Sequence, residues 1–119
     1  MALHPGLGLL YVRTHVRGGG EGDTGLVSVL DLDSGEVLAV VATGPDPYAE
    51  GGLAVDAVLN RLYTLNPGDD TATVLDANSL DVMESLEDAS QVALDTEGGR
   101  VYVAGMGVLR SLDAATFDV

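Results

Sequence analysis

GLAVDAVLNRLYTLNPGDDTATVLDANSLDV (residues 52–82) holds three short alternating strand patterns, each bounded by residues that favour turns. Residues 53–56, 61–65 and 72–76 alternate aliphatic with polar or small side chains, the period of a half-buried β-strand. A fourth strand is expected over 81–86. The intervening residues 57–60, 66–70 and 77–80 are rich in Asn, Asp, Gly and Pro, which accept turn geometry or cap their own backbone.

The rest of the chain reads as two looser copies. With Tyr11, Tyr63 and Tyr102 in register, an alanine lies nine residues before each, at Ala2, Ala54 and Ala93. Seven residues before stand His4, Asp56 and Asp95, and immediately before stand Leu10, Leu62 and Val101. Downstream, aspartates recur at Asp31, Asp76 and Asp113, each followed six residues later by a valine (Val37, Val82, Val119). The tyrosines are 52 and 39 residues apart, and the difference falls in THVRGGGEGDTG (residues 14–25) of the first copy. Units of about forty residues with several strands each are the mark of a propeller blade or related array, in which neighbouring sheets must stack to bury their faces.

The first copy is expected to have strands at 2–4, 9–14, 26–31 and 36–42, the last a near-continuous apolar run that suggests burial on both faces. Residues 14–25 are expected to form an exposed, mobile loop, and 43–51, with two Pro and two Gly, an irregular connector. The third copy has strand patterns at 91–95, 100–104 and 108–113, and the sequence stops where its fourth strand would begin. Residues 76–89 carry Leu80, Met83 and Leu86 at helix-compatible spacing, but their register with Val37 argues for a strand. The expected fold is therefore all-β: three four-stranded antiparallel blades at 1–43, 52–87 and 90–119, the last incomplete, in a single repeat domain.

At the tyrosine motifs the chain resembles the YVTN-type β-propeller repeats of bacteria and archaea. Tyr63-Thr64-Leu65-Asn66, Tyr11-Val12-Arg13-Thr14 and Tyr102-Val103-Ala104-Gly105 carry the likeness. Ala54-Val55-Asp56, Asn60-Arg61-Leu62 and Ala72-Thr73-Val74-Leu75-Asp76 support it. The resemblance implies that the strand ending at Asp56 is innermost, that Ala2, Ala54 and Ala93 sit near the axis, and that the tyrosines pack between blades with their hydroxyls seeking partners. Propellers close with four to eight blades, and this chain supplies fewer than three. The preferred explanation is a piece of a longer propeller. The others are two chains forming a six-bladed ring and a short open array. An open stack exposes apolar sheet faces and an unpaired edge, so self-association through those faces is a corollary.

The 19 acidic residues against 5 basic ones, all arginine, give a net charge of −14, which repels phosphate backbones and argues against nucleic-acid binding. The plainest reading of that charge is solubility. There is no cysteine for disulfide or thiol chemistry. No apolar run is long enough for a membrane span, and the strand pattern begins at Ala2 without a leader. Export or a cell-surface location would rest on a leader in a longer parent chain.

Recurrence of Asp56 and Asp95, with His4 in the third place, has two readings. One is a polar ring at the channel mouth that holds a cation. The preferred one is a set of turn residues whose carboxylates cap their own backbone, because an active site should break the repeat symmetry. Asp31, Asp76 and Asp113 receive the same reading. Asn66 with Asp69 and Asp70, and Glu21 with Asp23, are the densest oxygen-rich loops, but neither has calcium-loop spacing. His4 and His15 lack a third ligand at zinc spacing, so no metal or cofactor is expected. Gly18-Gly19-Gly20 lacks the Lys and Ser/Thr of a phosphate loop. No nucleophile motif is present. The segment 14–25, found in one copy only, is the candidate binding loop, with His15 in it as a solvated residue and Arg17, Glu21 and Asp23 at its tip.

The expected function is that of a non-enzymatic binding or scaffold domain for an unidentified protein or small-molecule ligand. The alternative, implied by the resemblance alone, is a fragment of a propeller enzyme, either a lactonase-like hydrolase or a quinoprotein-type dehydrogenase subunit.

Overall fold

The computed structural model describes residues 1–18, 22–45 and 52–119. Among them there is no helix. The first sheet contains β1 (Ala2–His4), β2 (Leu9–Gly18), β3 (Gly22–Asp31) and β4 (Val37–Pro45) in chain order. The second contains β5 (Leu53–Asp56), β6 (Arg61–Asn66), β7 (Thr71–Asp76) and β8 (Val82–Leu86), again in chain order. The third contains β9 (Gln91–Asp95), β10 (Arg100–Gly105) and β11 (Val108–Asp113). Every neighbouring pair is antiparallel. The chain is all-β, and its three stacked meanders form a partial, propeller-like array measuring 39 × 37 × 18 Å.

The repeat has a direct geometric meaning. Ala2 lies opposite Tyr11, Ala54 opposite Tyr63, and Ala93 opposite Tyr102, so the recurring alanine gives each tyrosine room on its own sheet. The first strands of the three sheets, β1, β5 and β9, lie side by side. Side chains alternate across each sheet. Leu9, Tyr11, Val27 and Val29 leave the first sheet toward Leu62, Leu75, Ala77 and Leu80 of the second. Tyr63, Ala72, Val74 and Leu86 leave the second sheet toward Val101, Val103, Leu112 and Ala114 of the third. The second sheet thus buries one face against the first sheet and the other against the third.

Three sequence expectations are corrected. Of the segment expected as a loop, residues 14–18 and 22–25 are strand: β2 runs on to Gly18 and β3 starts at Gly22, with His15 opposite Gly25 and Arg17 opposite Asp23. Glycine weakens a strand without forbidding it, and register carried over from residues 9–14 extends the ladder. Residues 43–45 belong to β4, whose end pairs Pro45 with Thr24. The proline is tolerated there because an edge strand leaves one N–H position unpaired. The apolar run of β4 is not buried on both faces. Val37, Leu38 and Val40 are more than half exposed, because β4 is the outermost strand and has a neighbour on one side only.

Both complete sheets carry a bulge at the same place. Pairing skips Leu38 between Val29 and Leu30, and skips Met83 between Val74 and Leu75. Each bulge follows the turn after Asp31 or Asp76 and increases the local twist of the outer strand.

Candidate functional site

The array has two ends. At one, here the turn end, lie the β1–β2 type turns, the β3–β4 type turns and their counterparts. Every recurrent carboxylate is engaged there with its own backbone. Asp31 Oδ1 accepts the N–H of Asp33 at 2.8 Å and of Ser34 at 3.3 Å. Asp76 Oδ1 accepts from Asn78 and Ser79, both at 2.9 Å. Asp113 Oδ1 accepts from Ala115 at 2.8 Å and Thr116 at 3.1 Å. Asp56 Oδ1 accepts from Val58 at 2.9 Å and Leu59 at 3.0 Å, and Asp95 Oδ1 from Gly98 at 2.9 Å. His4 fills the same role with nitrogen. Its Nδ1 accepts the Leu7 N–H at 3.3 Å, and Nε2–H donates to Asn60 Oδ1 at 2.7 Å on the next sheet. Hydrogen bonds to the charged form hold the Asp76 carboxyl below its ordinary value, Ser79 N–H first and Asn78 N–H second. Asp113 is lowered by Ala115 and then Thr116.

In the second and third meanders the turn after the capping aspartate offers a carbonyl to the sheet before it. The residue after the capping aspartate is Leu32, Ala77 or Ala114, and its N–H donates to Gly8, Asn60 or Gly99 at 2.9 Å in each case. Tyr11 OH donates to the Ala77 carbonyl at 2.5 Å. At the next interface the same acceptor is taken differently. Arg61 stands where the first copy has Leu9, and its guanidinium donates to the Ala114 carbonyl and, at 3.2 Å, to that of Ala115. It also lies 4.9 Å from the Phe117 ring centroid, a cation–π contact. Tyr63 OH, displaced from the carbonyl, is buried without a hydrogen-bond partner among the described residues, as is Arg61 Nε. Burial raises the hydroxyl pKa of both Tyr11 and Tyr63; nearby Asp76 adds to the rise at Tyr11, and Arg61 partly offsets it at Tyr63.

A polar network between the first and second sheets breaks the repeat symmetry. Arg13 donates to Thr64 Oγ1, to Thr43 Oγ1 at 2.9 Å and to Asn66 Oδ1 at 3.3 Å. Asn66 in turn donates to Thr73 Oγ1 at 2.9 Å and Thr71 Oγ1 at 3.1 Å. Thr43 reaches Arg13 because pairing skips it between Gly25 and Leu26. Sequence reading missed this network. Its only linear signal is an arginine two residues after Tyr11, where the other copies have Leu65 and Ala104.

Of the expected binding loop, Glu21 and the side chains of His15, Arg17 and Asp23 lie outside the described residues. Among the described residues, no group of three or more His, Asp or Glu side chains is placed to hold a metal ion. Asp69 accepts the Thr71 hydroxyl at 2.6 Å, and Asn66 is buried in the network above. At the turn end, an open cleft of about 300 Å³ separates the second and third sheets. Its lining includes Asp56, Val58, Glu97, Gly98, Asp113 and Ala115. No helix among the described residues is long and apolar enough to cross a membrane. The chain matches no protein-family model and no curated protein.

Proposed function

We propose that this chain is a non-enzymatic binding or scaffold domain, three blades of a YVTN-type β-propeller that engages a cationic partner at its turn end. The carrying observation is that the recurrent carboxylates hold their own turns in place. Asp56 and Asp113 each cap two backbone N–H groups beside the cleft, so the walls are rigid while Val58 and Glu97 remain exposed. Rigid turns that present exposed side chains suit recognition. The net charge of −14 favours a positively charged ligand over an anionic one and draws it in from a distance.

A backbone amide NMR titration with a lysine-rich peptide tests this reading, with a glutamate-rich peptide as control. Shifts are expected at Val58, Glu97 and Ala115, are weakened by salt, and are reduced in Glu97→Lys. Equal response to both peptides, or shifts scattered over all three sheets, would rule the reading out.

A further inference from the structure

Among the described residues two sheet faces remain uncovered, and they are the two halves of an interface the molecule already makes twice. On the third sheet, Ala93, Tyr102 and Ser111 are cross-strand neighbours, in the positions of Ala54, Tyr63 and Val74. Tyr11 and Tyr63 are 0% and 1% exposed, but Tyr102 is 38% exposed. Leu109 occupies the place of Val27 and Ala72; those two are 0% exposed and Leu109 is 72% exposed. On the first sheet, the opposite face presents Leu3, Leu10 and Leu30 as cross-strand neighbours. These correspond to Val55, Leu62 and Leu75, the surface on which Tyr11 and Val29 pack. Leu32, whose counterparts Ala77 and Ala114 supply the inter-sheet carbonyls, closes the same kind of turn through its N–H bond to Gly8.

We infer that a second copy of this chain covers both faces head to tail. The Tyr102 face of each copy packs on the Leu3–Leu10–Leu30 face of the other, and the two contacts close a ring of six blades. Arg100 stands two residues before Tyr102, as Arg61 stands before Tyr63. Its Nε and Nη2 now donate to Ser111 Oγ and O at 2.9 and 2.8 Å. In the ring it reaches the Leu32 carbonyl as Arg61 reaches that of Ala114. The occupant is argued from continuity: one chain carries the donor half and the acceptor half of a single packing scheme in matching register. Such a face-to-back contact forms a ring when its rotation closes and a filament when it does not. Six blades lie within the range at which propellers close. The inference goes beyond the binding role and does not rest on it.

Light scattering over a concentration series, on the native chain, Tyr102→Glu, Leu3→Glu and their equimolar mixture, tests it. Both substituted side chains are open in the single chain, so the variants keep the β-sheet circular dichroism spectrum. The native chain is expected at twice the chain mass, each variant at the single mass. In the mixture a twofold species returns, because pairing the two variants restores one native seam. Salt should strengthen association by screening the like charges of the two copies. A native chain that stays at single mass overturns the inference, growth past two chains overturns ring closure, and a mixture that stays single overturns the head-to-tail arrangement.

Discussion

Tyr11 and Tyr63 occupy the same place in successive sheets, yet only one hydroxyl has a partner. Net stabilisation by a buried hydrogen bond is about 1 kcal/mol, while an unpaired buried group only costs. Tyr11→Phe is therefore expected to lose about 1 kcal/mol and Tyr63→Phe to lose nothing or gain slightly, read by urea denaturation. If the two losses were equal, Arg61 would not be displacing the hydroxyl. Arg61→Leu, which copies Leu9, frees the Ala114 carbonyl. Tyr63→Phe should then cost about 1 kcal/mol in that background, a coupling that a double-mutant cycle detects. Asp76 supplies a second test. Its folded-state pKa is depressed, so its contribution is present above the ordinary value of 3.8 and is lost as pH falls through the lower folded value. Asp76→Asn keeps an acceptor but no charge. Its deficit in melting temperature against the native chain should be largest near neutrality and shrink as pH falls below 3.8; a deficit independent of pH would contradict the capping account.

At the scale of elements, the tyrosine register was legible because it depends on short-range alternation and on turn residues that cap themselves. Asp56, Asp76 and Asp113 reach N–H groups two and three residues away, a distance sequence pattern can address. The extension of β2 and β3 was not legible, because a glycine-rich run reads as turn even where an established ladder carries it on. Burial of β4 was misread for the opposite reason: an apolar run does not say whether its strand has one neighbour or two. The Arg13 network was also hidden, since Arg13 and Asn66 are 53 residues apart and meet only once the sheets stack. Arg13→Met should leave Thr64 and the buried Asn66 short of a donor and cost about 1–3 kcal/mol. Gly105 marks a close approach between elements. A methyl group there would overlap the Asp88 backbone carbonyl, where the connection after β8 crosses the end of β10 and Ser90 N–H bonds to Ala104 O at 2.8 Å. Gly105→Ala should cost about 1–3 kcal/mol by overpacking; an unchanged melting temperature would mean the connection yields freely.

Taken whole, the molecule joins an apolar stack to a strongly acidic surface. Asp33, Glu36, Asp81, Glu97 and Asp118 crowd the turn end beside the capping aspartates, all exposed, and like charges within a Debye length oppose the compact state. Raising salt from low to about physiological ionic strength, where the screening length is about 8 Å, should therefore raise the melting temperature. A fall would indicate that attractive ion pairs prevail. The stack also has a direction. Tyr11 finds its acceptor at Ala77, 66 residues later in the chain. On a ribosome, then, the first sheet emerges with its aromatic face bare and keeps it bare until most of the second has been made. The second waits in turn for the third. The first two sheets are each completed by the next, so pauses in translation between sheets lengthen the interval in which a nascent chain is open to aggregation or to a chaperone.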